Sequence, residues 1–138
     1  IMKTMTMQEA FDTVAVHLLT QQEKSEFMDE CLYRSPDGLM CSIGCLIDDK
    51  DYNANLENVP TDTLLVRHLE HDDPLPFPWI EGLEIPDMFI FYRGLQNIHD
   101  HNAVHDWRHC LVEFANEHQL KLDSVVRTLH ENDQKEET

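Results

Sequence analysis

Ser35-Pro36-Asp37-Gly38 is the tightest constraint in this chain, because it dictates a reversal inside a sequence otherwise patterned for helices. Proline presets φ at the second turn position, and glycine accepts the positive φ that other residues resist. Cys31–Arg34 and Leu39–Ile43 then flank the turn as two short strands, or as one strand leading into a helical turn. A two-stranded hairpin alone is marginal in water, so this element must lie against helices. Gly44 either permits a close backbone approach or breaks the second element. The enclosing stretch, CLYRSPDGLMCSIGCLIDD, holds three of the four cysteines and two of the four glycines. That density marks Cys31 to Asp49 as selected for more than packing.

The helices around it are read from apolar spacing. Met7, Phe11, Val14 and Leu18 fall on one face of an N-terminal helix, widened by Ala10 and Leu19. Thr6 and Glu9 form its capping box, and the helix ends near Thr20. Residues 48–60 read as loop. Thr61 or Asp62 caps a short helix to Glu70, with Leu64, Leu65, His68 and Leu69 inward. The proline-rich bend from His71 to Pro78 excludes helix and continues as an irregular connection to Pro86. Asp87 caps a third helix with Met88, Phe91, Leu95 and Ile98 inward, where Gly94 implies close packing. Asn102 starts a fourth, carrying Val104, Trp107, Leu111, Phe114 and Ala115, which ends near His118. Asp123 caps a last one. The expectation is an α+β, mostly helical single domain, residues 1–132, with about five helices packed around a small β-hairpin. Residues 133–138 are expected to form a frayed acidic tail.

Charge narrows function. The chain has 27 acidic and 10 basic side chains, a formal net charge of −17. Binding to nucleic acid draws on counterion release by Lys and Arg, and there is no basic cluster to provide it. Anionic membrane surfaces are disfavoured by the same repulsion. A protein partner with a basic patch stays open, as does a metal ion, and an acidic surface also serves plain solubility. No secretory signal pattern or membrane-length apolar run is present, and the cysteines sit among Leu, Ile and Met as reduced thiols, so the expected location is cytoplasmic.

Nine histidines are candidates for chemistry. His101, His105 and His109 step by four, the spacing at which helical side chains reach one metal ion such as zinc. Cys41, Cys45, His68 or Asp72 could complete that set, but the glutamate of the helical HExxH pattern is missing. Cys41 and Cys45 have CxxxC spacing, not the CxxC of redox pairs, and read as structural. A cysteine hydrolase would draw on Cys41 or Cys45, His99 or His105, and Asp100 or Asp106, with no nucleophile signature beside them. His71-Asp72 suggests a metal phosphohydrolase of the HD type, but it sits in a bend rather than a helix. Tyr33 and Arg34 form a polar handle beside the turn, where Arg34 reads as a partner for an acid and Asp37 as a turn cap.

The segment CLYRSPDGLMCSIGCLIDDKDYNANLE resembles the central motif of a family of small uncharacterised bacterial and phage proteins, roughly C-x-Y-R-x-P-D-G-x-x-C-x-I-G-C-L-I followed by an acidic loop with Tyr. HLLTQ in the first helix, L-Q-x-I-H-D at Leu95 to Asp100 and the Trp107 helix extend the resemblance over most of the chain. It implies a fold and a phage or bacterial origin, without a catalytic assignment. Read together, the two marks predict that His99 and Asp100 pack against the Tyr33-Arg34 turn, making a polar site of Tyr33, Arg34, Asp37, His99 and Asp100.

The expected function is a non-catalytic, protein-binding accessory or inhibitory factor that needs no cofactor and engages a basic surface. Mimicry of nucleic-acid charge is one version of that reading. The alternative is a metal-dependent hydrolase built on the His99 to His109 cluster.

Overall fold

Thr6 sets the first helix. Its hydroxyl accepts from the Glu9 backbone N–H at 3.1 Å, and the Glu9 carboxylate accepts from the Thr6 N–H at 3.0 Å. This reciprocal box satisfies two N–H groups that a helix start leaves without partners. The computed structural model describes residues 2–136. In it α1 spans Met7–Gln21 and ends on Gln22 in a left-handed cap. Ala10, Phe11, Val14, Ala15 and Leu18 are fully buried along one side of α1. Burying a side chain the size of Phe or Leu contributes roughly 1.5–3 kcal/mol, so this stripe anchors the core.

Four further helices pack around it: α2 (Thr61–His71), α3 (Ile85–Asp100), α4 (Trp107–Glu117) and α5 (Asp123–Glu136). α1 contacts α3, α4 and α5, and α2 leans on α3. The α1–α3–α4 junction is aromatic. Phe114 lies 5.9 Å from Phe11 and 5.4 Å from Phe91 between ring centroids. A Cβ added at Gly94 would sit 2.9 Å from the Phe114 ring, so the glycine is what lets α4 approach α3.

The β structure is minimal. β1 (Thr4–Met5) pairs in parallel with β4 (Trp79–Ile80), tying the start of the chain to a stretch expected to be irregular. Its amide groups pair across the two segments, with Trp79 N–H donating to the Lys3 carbonyl at 2.9 Å. β2 (Glu26–Phe27) and β3 (Glu30–Cys31) form an antiparallel hairpin. The Ser35–Gly38 turn is present, with Gly38 N–H donating to the Ser35 carbonyl at 3.0 Å. Its flanks pair only as the single bridge Arg34–Met40. Gly44 resolves as a close approach, since a Cβ there would lie 1.9 Å from the Tyr33 carbonyl oxygen. The protein is thus an α+β, mostly helical domain of five helices and a small hairpin among the described residues.

Several boundaries differ from the sequence reading. Pro60 holds the N-cap position of α2 in place of Thr61 or Asp62, and Glu84 that of α3 in place of Asp87. Leu69, expected inward, is 39% exposed at the end of α2. The fourth helix does not start at Asn102. Instead α3 runs to Asp100, and the Asn102 side chain bonds back to the Asn97 carbonyl at 3.1 Å. A 3-10 turn at Val104–Asp106 then leads into α4. Asparagine competes for nearby backbone groups in this way, which favours a helix end over a helix start here. α5 continues through Glu136, so residues 133–136 of the expected tail are helical, and Glu137 and Thr138 lie outside the described residues.

Candidate functional site

His99 is fully buried near the C-terminal end of α3, and its ring has a partner on every side. The Ser25 backbone N–H donates to Nε2 at 2.9 Å. That bond fixes the tautomer: Nε2 must present its lone pair, so the ring proton sits on Nδ1. Nδ1 lies 2.7 Å from Asp100 Oδ1 and 3.9 Å from Cys31 Sγ. The indole of Trp107 stacks on the imidazole with centroids 5.5 Å apart. Gln96 adds a second donor to Asp100 Oδ1 at 2.8 Å, and its own Oε1 accepts from Ile43 N–H at 3.2 Å.

This network joins the two marked segments of the sequence. Ser25 is buried, and its hydroxyl faces the Leu32 and Leu39 carbonyls at 2.8 and 3.1 Å. The base of the β2–β3 hairpin and the Ser35–Gly38 turn are therefore pinned to α3 through Ser25, Cys31 and Ile43. Desolvation disfavours the Asp100 carboxylate, but hydrogen bonds from His99, Cys31 and Gln96 outweigh it and hold its pKa below the usual range. The reverse applies to the thiol. Burial, then the hydrogen bond to Asp100 and that group's negative charge, push Cys31 well above an ordinary cysteine. Burial likewise raises Cys41 to about 11 and raises Cys45.

The donor atoms of Cys31, His99 and Asp100 lie within 4.8 Å of one another, close enough to surround a metal ion. The hydrogen bonding does not fit one. A metal at Nδ1 would need that proton to leave while Nε2 still faced the Ser25 N–H, forcing an imidazolate where metal sites use neutral imidazole. A thiolate nucleophile does not fit either. The ring nitrogen nearest sulfur carries a proton, so it offers Cys31 no lone pair as a base. The cluster is built as an anchor, in which Ser25, His99, Asp100 and Gln96 answer one another's polar groups, while the buried Trp107 Nε1–H stacked beside them has no hydrogen-bond partner.

The residues singled out from sequence are dispersed around it. Tyr33 lines a cleft of about 350 Å³ beside the cluster, together with Cys31, Thr61, Arg93, Gln96 and Asp100. Its hydroxyl donates to the Val59 carbonyl at 2.7 Å, and burial raises its pKa to about 12. Arg34 turns away from His99. It meets Asp49 at 2.8 Å and the Ile47 carbonyl at 2.6 Å, and its guanidinium lies 4.7 Å from the Tyr52 ring centroid. Asp37 is exposed at the turn, where the Ser35 hydroxyl, not Asp37, accepts from Leu39 N–H at 3.1 Å. His99 and Asp100 therefore meet Cys31 and Ser25 rather than Arg34 and Asp37.

The expected metal stripe is split among three elements. His101 caps the end of α3, His105 lies in the 3-10 turn and His109 is in α4. All three are exposed. His105 faces Asp106 at 3.6 Å, and His109 faces Glu113 at 2.7 Å. His71 and Asp72 are exposed at the end of α2, with Asp72 as a left-handed cap. The residues missed from sequence are Ser25, which lies in a polar run without any motif, Gln96, which belongs to the L-Q-x-I-H-D mark but carried no expected role, and Cys31 as the partner of His99. Adjacency of Cys31 to the Tyr-Arg turn was the available signal for the last.

No protein-family model, curated protein or solved structure matches the chain. No helix among the described residues is long and apolar enough to cross a membrane.

Proposed function

We propose that this protein acts by binding a protein partner with a basic surface, as a cytoplasmic accessory or inhibitory factor of phage or bacterial origin, rather than by catalysis. The observation that carries the reading is the mutual hydrogen bonding of Cys31, His99 and Asp100, which commits these groups to one another even though Cys31 is itself exposed. The best-formed constellation of reactive side chains is committed to holding the fold, which leaves the surface as the working part. That surface is strongly acidic. Lys3, Arg34 and Arg93 pair with Asp48, Asp49 and Asp62, but ten basic side chains cannot neutralise 27 acidic ones. Such a surplus steers a basic partner toward the protein and repels other anions.

The chain immobilised at low ionic strength should retain a basic protein from a bacterial cytosolic extract. Retention should weaken as salt is raised, because exposed charges farther apart than about 8 Å are screened at physiological ionic strength. Retention that does not change between 0.05 and 0.5 M salt (roughly 14 to 4 Å of screening length) would contradict an electrostatic surface. Against the hydrolase alternative built on the His99 to His109 cluster stands the dispersal of its histidines: His99 is buried, while His101, His105 and His109 are exposed on different elements.

A further inference from the structure

We infer that the tip of the β2–β3 hairpin is the docking element, inserting Phe27 and Met28 into an apolar pocket rimmed by Lys or Arg on the partner protein. This deepens the proposal of an acidic protein-binding surface and rests on it.

Two apolar side chains stand out at the tip. Met28 is 82% exposed and Phe27 53% exposed, in a segment where every residue from Glu26 to Glu30 faces solvent. Met28 (φ 53°) and Asp29 (φ 64°) are both left-handed, as a two-residue hairpin turn of the favoured mirror type requires. Asn-Gly or Asp-Gly suits those positions. Aspartate tolerates the second, but a methionine at the first crowds its own backbone and gains no burial in return. A residue that serves neither turn geometry nor core is best explained by what its side chain touches outside the chain.

The base of the hairpin is rigid where the tip is bare. Leu32 N–H donates to the Ser25 carbonyl at 2.9 Å, and Ser25 is held in turn by His99. A partner therefore meets a pre-organised knob and does not have to order it on binding. Phe and Met are also the residue types enriched at the centres of protein interfaces.

Charge selects the occupant. Glu26, Asp29 and Glu30, all exposed, flank the two apolar residues in the hairpin, with Glu30 paired directly opposite Phe27. A second copy of this chain would bring like charge against like, and an anionic lipid surface would be repelled in the same way. An apolar pocket with a basic rim complements both features at once.

The test uses the whole chain, immobilised, with basic proteins of a bacterial cytosol collected on a cation exchanger as one probe and poly-L-lysine as a charge-only probe. Phe27→Asp and Met28→Gly should each lower retention of the same basic protein about tenfold or more. The pair Glu26→Lys with Glu30→Lys should do likewise, while Glu117→Lys with Glu131→Lys, the same charge change on α4 and α5, should not. Poly-L-lysine binding should ignore Phe27→Asp and Met28→Gly relative to that loss. Met28→Gly relieves the turn, so its loss of binding with an undiminished melting temperature separates contact from folding. Retention that falls equally with any charge reversal and ignores both apolar substitutions overturns the hairpin assignment and leaves the acidic surface standing. Absence of any salt-sensitive retention removes both. Sedimentation showing a dimer that Met28→Gly dissolves would overturn the assignment in favour of self-association.

Discussion

The hairpin from Ser25 to Cys31 has two ends built on opposite terms. At its base, polar groups face inward: Ser25 and His99 are fully buried and bonded to each other. At its tip, a few residues away, apolar groups face outward. A chain that only had to be stable would reverse this arrangement. Buried hydrogen bonds yield only a modest net gain, whereas leaving one partner without its mate costs the full desolvation penalty. Exposed Phe and Met contribute nothing to the core. The base is thus a high-stakes anchor whose parts cannot be exchanged singly, and the tip is a surface whose parts can be changed without loss of the fold.

That contrast breaks most sharply at His99. Replacing it with leucine strands the Ser25 N–H and strips the Asp100 carboxylate of a donor, so urea unfolding should show a loss of about 3 kcal/mol. A loss below about 0.5 kcal/mol would mean the network is ornamental. Gly44→Ala should come close behind, at about 1–3 kcal/mol, because the new methyl group meets the Tyr33 backbone rather than a movable side chain.

Asp100→Asn sharpens the same comparison through pH. The folded pKa of Asp100 is depressed, so its contribution is complete above the unfolded value of about 3.9 and is lost as pH falls through the lower folded value. The variant should be less stable at neutral pH by roughly 1–2 kcal/mol and should lose less on further acidification below about pH 4. His17 acts over a different window. Burial lowers its pKa against the opposing bond to the Met40 carbonyl at 2.7 Å. The unfolded chain then binds the extra proton first, so stability should fall as pH drops below about 6.5, and His17→Gln should flatten that limb.

The smallest effects belong to the tip. Met28→Gly should raise stability by about 0.5–1 kcal/mol, or leave it unchanged if relief of the left-handed strain is offset by added freedom in the unfolded chain. Phe27→Asp should stay within about 0.5 kcal/mol of the parent in the same melts. A large loss there would show that the tip packs on something and would erase the distinction between the two ends.

Much of this was legible in the residues alone. The α1 face, its Thr6–Glu9 box, the turn at Ser35–Gly38, the close packing at Gly94 and the mostly helical class follow from local rules: side-chain spacing, capping chemistry and allowed φ. Those rules act within a few residues, so one sequence suffices to read them. The acidic balance is equally a property of composition. What the tertiary structure decided was which polar residue meets which. Ser25, Cys31 and His99 are separated by up to 74 positions, and nothing in the order of residues says that a backbone N–H will face one ring nitrogen and thereby set the proton on the other. The stripe of His101, His105 and His109 failed for the same reason. Its spacing needs one continuous helix, and the Asn102 side chain, bonding back to α3, ended that helix before the stripe could form. Short-range preference chose the elements; long-range hydrogen bonding, which depends on the packed partner being present, chose the site.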